Sequence, residues 1–243
     1  GDPAYLDAAL RNARFLSEKV MRPDHRLYRN YKDGKAVINA FLDDYALTAR
    51  AFIALYQATF DEQWLRRARA LADYALEHFL DPSTNLFFYT SDLDPPLVTR
   101  NKELTDNVIP ASNSVMARVL HDLGLYFNES RYLELARTML RQVAGGMLES
   151  EDPAYYANWS LLYLDLMQPP YEVAIVGPEW EEKRRQLARH YLPQARLLGG
   201  PDEGTLELLK DKAQEGQTII YVCQNKVCKL PVEAVDRALQ LME

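Results

Sequence analysis

The chain has 243 residues, of which 48% are hydrophobic and 26% charged, with 10 glycines and 13 prolines. This composition supports a globular core and excludes collagen-like, low-complexity and broadly disordered proteins. Its 28 basic and 35 acidic side chains leave a net charge of −7, which argues against general binding to nucleic acid or to an anionic membrane.

Three features of the chain bear on its cellular origin. The sequence begins Gly1-Asp2-Pro3, without Met or an apolar leader, which indicates a tag remnant or the cut edge of a longer protein. No segment contains the ~18 uninterrupted apolar residues of a membrane span. Two cysteines are too few to form a disulfide framework in a chain of this length. We therefore expect a cytoplasmic protein.

Apolar residues recur every three or four positions through the first two thirds of the chain, which predicts helices. Amphipathic segments, typical of outer helices, alternate with segments that are apolar on nearly every side, typical of buried inner helices. In order, starting with an outer one, these segments are 4–19, 43–57, 62–79, 111–127, 130–143 and 153–167. The alternation predicts a mainly α protein with an α/α hairpin toroid segment, about three hairpins of a six-hairpin ring.

After Pro169-Pro170 the pattern changes to short apolar strands between helices. The predicted elements are strands at 171–177, 195–198 and 218–223 and helices at 179–191 and 232–242. Strands that alternate with helices favour a small, mainly parallel α/β layer. We therefore divide the chain into a toroid portion, residues 1–168, and a small α/β subdomain, residues 169–243.

The three inner helices of such a toroid begin on one rim, and the long connections at 20–42 and 80–109 lie on the same rim. Polar and aromatic residues concentrate there. Converging helix N-termini with such side chains suit a polyhydroxylated or anionic ligand. The candidate substrate-binding residues on this rim are Tyr28, Arg29, Asp43, Tyr45, Asp106, Asn107, Ser112, Asn113 and Tyr156.

Asp44 is the leading candidate for a catalytic group, because a second acid beside Asp43 is unnecessary for helix capping. Helix capping explains Asp43, Asp106 and Asp152 as well as ligand binding does, since all three stand at predicted helix starts. Ser112 and Asn113 could likewise be a cap and its neighbour. His25, in the first connection, is a weaker acid/base candidate.

Several common site motifs are absent from the sequence. It contains no Gly-x-Gly-x-x-Gly, Walker loop, His-Glu-x-x-His or Gly-x-Ser-x-Gly. Assignments as a nucleotide-binding protein, a zinc protease or an α/β-hydrolase therefore lose their usual support. We expect no cofactor and no metal site.

Cys223 and Cys228 form the one redox candidate. Lys226 and Lys229 lie beside them, and a cationic setting favours the thiolate. Two reduced structural thiols are the first interpretation and a reversible disulfide the second. A shared metal is the third, because two thiolates leave tetrahedral zinc short of ligands.

Several segments together resemble the thioredoxin-domain proteins of the YyaL-like, spermatogenesis-associated family. The most specific of them is the Cys-x-Asn-x-x-Cys-x-x-Pro ending. Two departures concern Ala111-Ser112-Asn113, where many members have Ser-Gly-Asn, and Asp106-Asn107, where Asp-Gly is common. The segments that carry the resemblance are 27–35, 41–46, 106–114, 171–177 and 221–231.

The resemblance implies a parent protein with three parts: a thioredoxin-like domain, a six-hairpin toroid similar to N-acylglucosamine epimerases and six-hairpin glycosidases, and a small α/β tail. This chain would lack the thioredoxin domain and the first hairpins. The first hypothesis for its function is a carbohydrate-related binding or catalytic cleft. An enzyme of this kind would be a sugar epimerase, an isomerase or a glycosidase.

The second hypothesis is a non-catalytic protein-interaction module that works with a thioredoxin-like domain, and the third is a redox role for the cysteine pair. Half a toroid also leaves the flanks of its inner helices uncovered. Exposed apolar surface of that kind predicts self-association or a contact with a separately supplied N-terminal half.

Overall fold

The computed structural model describes residues 2–95 and 98–243. Its helices are α1 (Pro3–Phe15), α2 (Leu42–Thr59), α3 (Gln63–His78), α4 (Ser112–Tyr126), α5 (Ser130–Glu149), α6 (Ala157–Met167), α7 (Trp180–Leu187) and α8 (Val235–Gln240). Its strands are β1 (Leu80–Asp81), β2 (Leu86–Phe87), β3 (Tyr171–Val176), β4 (Ala195–Gly200), β5 (Ile219–Gln224) and β6 (Val227–Cys228). A π-helical turn, Leu16–Val20, extends α1.

The helical part is built from hairpins in which an inner helix packs on the outer helix that follows it. α2 packs on α3 and α4 packs on α5, while the inner helices α2 and α4 also pack on each other. Nearly every residue of α4 is buried, as expected for a helix that is apolar all round. The predicted alternation of outer and inner helices is therefore confirmed for these two hairpins.

α6 contacts α4 and α5 but buries only one side of its apolar surface. Trp159 and Leu162 have no exposed surface, whereas Leu161, Leu164 and Met167 are 44%, 51% and 62% exposed. The spacing of three between these exposed residues places them on one face. We call this face the α6 stripe.

The small sheet has the strand order β4-β3-β5-β6 and is mixed, which corrects the predicted mainly parallel arrangement. β3 pairs in parallel with β4, whereas β5 runs antiparallel to β3 and β6 antiparallel to β5. The reason lies in the connections. α7 supplies the crossover helix that a parallel pair requires, but only a short 3-10 turn, Glu207–Leu209, lies between β4 and β5.

Both predicted helices of this region are shorter in the structure. The helix predicted over 179–191 ends at Leu187. The helix predicted over 232–242 begins only at Val235, because Val232 exchanges backbone hydrogen bonds of 2.7 and 3.0 Å with Ile220 of β5. These bonds keep Val232 extended and add a short rung to the sheet.

Candidate functional site

A pocket of about 260 Å³ lies on the rim between the end of α1, the first long connection and the start of α2. Three residues predicted for the site, Tyr28, Arg29 and Asp44, line it together. We call this cavity the rim pocket. Its aromatic and polar lining residues are Phe15, Tyr28, Arg29, Asn30, Tyr31, Asp44 and Thr48.

Arg29 joins two of the predicted acids. Its Nη1 donates to Asp43 Oδ1 and to Asp44 Oδ2, each at 3.2 Å, and its guanidinium lies 5.0 Å from the centre of the Phe41 ring. The Arg29 side chain is 39% exposed, against 6% for Asp43 and 27% for Asp44. We call Arg29, Asp43 and Asp44 the rim triad; solvent reaches it mainly at Arg29 and Asp44.

Asp44 also caps α2, which corrects the argument that it is unnecessary for capping. The backbone N–H of Phe41 donates to Asp44 Oδ2 at 2.9 Å, which satisfies a donor that the helix start would otherwise leave free. Burial raises the pKa of Asp44 and the Asp43 carboxylate raises it further, while the Phe41 N–H and Arg29 lower it; the net shift is upward. Asp44 therefore combines capping with partial exposure in the rim pocket.

Tyr45 lies in the core, which corrects its assignment as a ligand-binding residue. Its ring has no exposed surface and stacks on Tyr74 with 5.2 Å between the ring centres. The backbone N–H of Leu27 donates to the Tyr45 hydroxyl at 2.8 Å, and burial raises the pKa of that hydroxyl. Tyr45 therefore anchors the connection that carries Tyr28 and Arg29.

Asp106 joins the starts of two inner helices. Its Oδ1 accepts from the backbone N–H of Ala111 at 2.8 Å and from the Ser114 hydroxyl at 3.1 Å, and its Oδ2 accepts from the backbone N–H of Asn158 at 2.8 Å. Asn107 is exposed beside it. These hydrogen bonds, which cap α4 and connect it to the start of α6, explain why the Asp106 carboxylate is buried.

Ser112 and Asn113 are buried, with 1% and 0% exposure, so their assignment as ligand contacts is also corrected. The Ser112 N–H donates to the Glu103 carboxylate at 2.9 Å. The Asn113 amide accepts from the Phe87 N–H at 2.8 Å and donates to the Phe87 carbonyl at 2.9 Å. Asn113 thus fastens β2, which the sequence did not predict, to α4.

His25 and Tyr156 lie outside the lining of the rim pocket. His25 is exposed in a turn with φ of 67°, where its backbone N–H donates to the Arg22 carbonyl at 2.9 Å. Tyr156 is half-buried against the core. The structure therefore does not bring these two candidates together with Asp44.

Several residues of the site are not among those that the sequence predicts. Phe15, Asn30 and Thr48 line the rim pocket, and the Tyr89 ring stacks on Phe41 with 5.0 Å between centres. A signal existed for Thr48, because it follows Asp44 by four residues on the same helix face. Tyr89 comes from a distant segment, so no local pattern indicates it.

A second group of one arginine and two aspartates ties the sheet to the helices. Arg196 of β4 donates from Nε to Asp122 of α4 at 2.7 Å and from Nη2 to Asp165 of α6 at 2.6 Å. We call these residues the sheet triad. Asp122 and Asp165 also lie close enough to His121 for the three to hold a metal ion, but the Arg196 guanidinium already supplies the positive charge between the two carboxylates.

The sheet triad shifts the titration of Asp122 downward. Burial alone raises the pKa of Asp122, but the Arg196 guanidinium and the His121 ring outweigh burial and lower it. Because this triad joins β4 to α4 and α6, it crosses the predicted domain boundary at residue 168. The division at that residue stays a prediction.

Cys223 and Cys228 are joined by a disulfide. The disulfide corrects the first interpretation of the pair, two reduced thiols, and the reversibility that belongs to the second interpretation stays a prediction. The two cysteines face each other across β5 and β6. Asn225 and Lys226 form the turn between these strands, and both have positive φ, as a tight hairpin turn requires.

Sequence comparison places the chain among known proteins, although no protein-family model matches it. Spermatogenesis-associated protein 20 of Homo sapiens is 25% identical over 209 residues, and that of Rattus norvegicus is 35% identical over 204 residues. Each match covers 79% of this chain and 26% of the relative. The chain is a homologue of spermatogenesis-associated protein 20. The resemblance inferred from the motifs is confirmed.

The homology extends to an uncharacterised protein of Caenorhabditis elegans, which is 24% identical over 252 residues. That match covers 98% of this chain and 34% of the relative. The chain thus spans about a quarter to a third of the length of these curated relatives.

Structural comparison confirms the fold class. A GH76 α-mannanase of Bacteroides thetaiotaomicron superposes with a TM-score of 0.53 at 14% sequence identity, over 76% of this chain and 51% of the mannanase. At this identity the likeness concerns the fold alone, a helical toroid of the glycosidase type. In the described part of the chain, the helices lack either the length or the apolar character needed to span a membrane.

Proposed function

We propose that the rim pocket binds a carbohydrate or a similar polyhydroxylated molecule. The observation that carries this proposal is the meeting of Tyr28, Arg29 and Asp44 with the partly exposed ring of Tyr31 in one cavity. A sugar presents hydroxyl groups that both donate and accept, and Asp44 and Arg29 supply an acceptor and donors for them. The aromatic rings supply flat apolar surfaces for its C–H faces.

The geometry favours binding over hydrolysis of a glycosidic bond. Hydrolysis requires two carboxyl groups on opposite sides of the bond. Among the described residues that line the rim pocket, Asp44 supplies the carboxylate, while Asp43 is buried and bound to Arg29. Asp44 alone, with its raised pKa, is suited to hold or release one proton near a bound hydroxyl.

A thermal-shift measurement tests the proposal. We would heat the chain with glucose, mannose, glucosamine, N-acetylglucosamine or glucose 6-phosphate. A sugar at ten times its Kd stabilises the folded state by about 1.4 kcal/mol, which raises Tm by about 3–6 °C in a chain of this size. Asp44→Asn and Tyr31→Ala should each abolish this shift.

Asp152→Asn is the matched control, because Asp152 also caps a helical turn, accepting from the Ala154 N–H at 3.0 Å, but lies outside the rim pocket. This variant should keep the sugar-dependent shift. A shift that survives both rim substitutions would locate the sugar elsewhere, and no shift with any of the five sugars would refute a sugar site in this chain.

We propose a second function, protein interaction through the α6 stripe. Its support is the exposure of Leu161, Leu164 and Met167 side by side on one helix, since contiguous apolar surface of this kind marks contact sites. The proposed partners are a second copy of this chain, the further hairpins of a toroid and a thioredoxin-like domain. The longer curated relatives have room for the last two.

Light scattering after size-exclusion chromatography tests the self-association arm of this proposal. The chain should form dimers at micromolar concentration, and Leu161→Glu with Leu164→Glu should yield monomers with an unchanged circular dichroism spectrum. A wild-type chain that is monomeric throughout this range would refute self-association. The proposal would then depend on the missing hairpins of the toroid. A separately produced toroid half should bind the wild-type chain and fail to bind the double variant.

A further inference from the structure

Three side chains lie in line across the face of the small sheet that also carries Arg196 of the sheet triad. Glu172 of β3 is the register partner of Cys223 of β5, and Cys223 is the register partner of Cys228 of β6. Directly opposed residues of neighbouring strands point to the same face of a sheet. The disulfide therefore lies beside the Glu172 carboxyl group on one surface.

The two sulfurs of this disulfide differ in access. Cys223 is 4% exposed, whereas Cys228 lies on the exposed strand that ends the hairpin. A thiolate must approach along the sulfur–sulfur axis to exchange with a disulfide, so access decides which sulfur is attacked. An external thiolate reaches Cys228, and Cys223 is then the leaving group.

Glu172 is a buried carboxyl group with unused hydrogen-bonding capacity. It is 5% exposed, and its Oε2 has no hydrogen-bond partner. A cavity of about 170 Å³ is lined by Glu172 together with both cysteines. Burying such an oxygen unpaired destabilises a fold, so a function that uses it explains its presence.

The surroundings of Glu172 favour its protonated form. Burial raises its pKa, while the backbone N–H of Lys226 and the ammonium groups of Lys226 and Lys212 lower it, and the net shift is upward. Glu207 also lines the cavity, from the 3-10 turn. Arg196, the β4 neighbour of Glu172, is bound to its two aspartates. A protonated Glu172 can donate to a sulfur that becomes negatively charged.

We propose that the Cys223–Cys228 disulfide is a redox-active site that exchanges with external dithiols, and that Glu172 is its proton donor and acceptor. The substrate class is a reduced dithiol, such as the active-site cysteine pair of a disulfide reductase. This activity is independent of the rim pocket, because the two cavities share no lining residue.

The exchange takes place in two steps. One thiolate of the dithiol attacks Cys228 Sγ, a mixed disulfide forms, and the bond to Cys223 breaks. Cys223 leaves as a thiolate and takes the Glu172 proton. The second thiolate of the dithiol then attacks its own partner sulfur in the mixed disulfide and releases the Cys228 thiolate. Two electrons pass to the protein, the dithiol becomes a cyclic disulfide, and water returns the proton to Glu172.

The test follows the reduction of the folded chain by dithiothreitol, with alkylation and mass spectrometry as the readout. The rate constant per dithiothreitol thiolate should be about 10²-fold lower in Glu172→Gln than in the wild type, the usual scale of general acid catalysis. Glu207→Gln is the matched control, because it removes a carboxylate from the same cavity and should leave the rate unchanged. Glutathione should give an adduct on Cys228 and none on Cys223.

The wild-type pH profile supplies a readout that a structural role for Glu172 would not change. The rate constant per thiolate should fall as the pH rises and Glu172 loses its proton, and this decline should be absent from Glu172→Gln. A disulfide that is reduced only after unfolding, an adduct on Cys223, or a wild-type rate per thiolate that is independent of pH would each overturn the proposal. The pH profile decides the matter even where Glu172→Gln fails to fold.

Discussion

The rim triad and the sheet triad contain the same chemical groups, one guanidinium between two aspartates, in two different environments. The Arg29 side chain of the rim triad is 39% exposed, and its guanidinium lies 3.2 Å from each carboxylate. The Arg196 side chain of the sheet triad is 7% exposed, and its guanidinium lies 2.7 and 2.6 Å from its carboxylates. Solvent access, and not composition, separates the two.

The difference shows which triad can exchange partners. Water replaces the contacts of an exposed ion pair at little cost, so such pairs contribute little to stability and ligand hydroxyls can take the place of water. A buried pair has no substitute partner, and removal of one member leaves a charge uncompensated. The sheet triad is therefore suited to join elements, and the rim triad to bind a ligand.

Arg196→Met should have the largest effect and tests the structural side of this comparison. The change removes the guanidinium that binds both Asp122 and Asp165, which should cost about 3–5 kcal/mol of the free energy of unfolding. Denaturant unfolding measures it. Arg137→Met, which removes an exposed arginine of α5, should stay within about 0.5 kcal/mol. A cost below about 1 kcal/mol for Arg196→Met would remove the distinction between the triads.

The pH dependence of stability should have opposite signs at the two triads. The pKa of Asp122 is lowered in the folded state, so its stabilising contribution is complete above the ordinary pKa of 3.8 and is lost as the pH falls through the lower folded-state value. The pKa of Asp44 is raised, so its charged form opposes folding above the folded-state pKa, and this cost disappears as the pH falls toward 3.8.

Unfolding free energies between about pH 5 and pH 2 test this expectation. The advantage of the wild type over Asp122→Asn should shrink as the pH falls. The wild type should instead gain relative to Asp44→Asn on acidification. Two differences that change in the same direction with pH would contradict the assignment of opposite shifts.

The sequence indicates the helices well, because periodicity reports which face of a segment is apolar. The apolar run from Ala111 to Phe127 predicts a buried helix, and α4 is one. The same pattern cannot show what covers a helix, which is why α6, equally apolar, is half exposed. The apolar pattern does not predict the direction of β5 either. That direction depends on the connection between β4 and β5, which contains a short 3-10 turn and no crossover helix.

The sequence predicts the candidate site in outline but not its contacts. It places Tyr28, Arg29 and Asp44 on one rim, and the three residues line one pocket. Residue type alone could not show that Tyr45 points into the core or that Asp44 caps α2. In the sequence, Glu172 is one polar residue within a predicted strand. Its position beside Cys223 follows only from the register of β3 and β5. Such facts arise from contacts between distant segments, on which local patterns carry no information.

Arg29→Met should have the smallest effect on stability and completes the comparison, because it makes in the rim triad the change that Arg196→Met makes in the sheet triad. In the variant, Asp44 keeps its hydrogen bond from the Phe41 N–H and the buried Asp43 carboxylate keeps its hydrogen bond from the Asp44 N–H at 2.9 Å. The cost should therefore be at most about 1 kcal/mol. Since Arg29 lowers the pKa of Asp44, that pKa should rise further in the variant, and NMR titration of the carboxyl carbon measures it. A cost equal to that of Arg196→Met would mean that the rim triad is as structural as the sheet triad, and a ligand could not then displace its contacts.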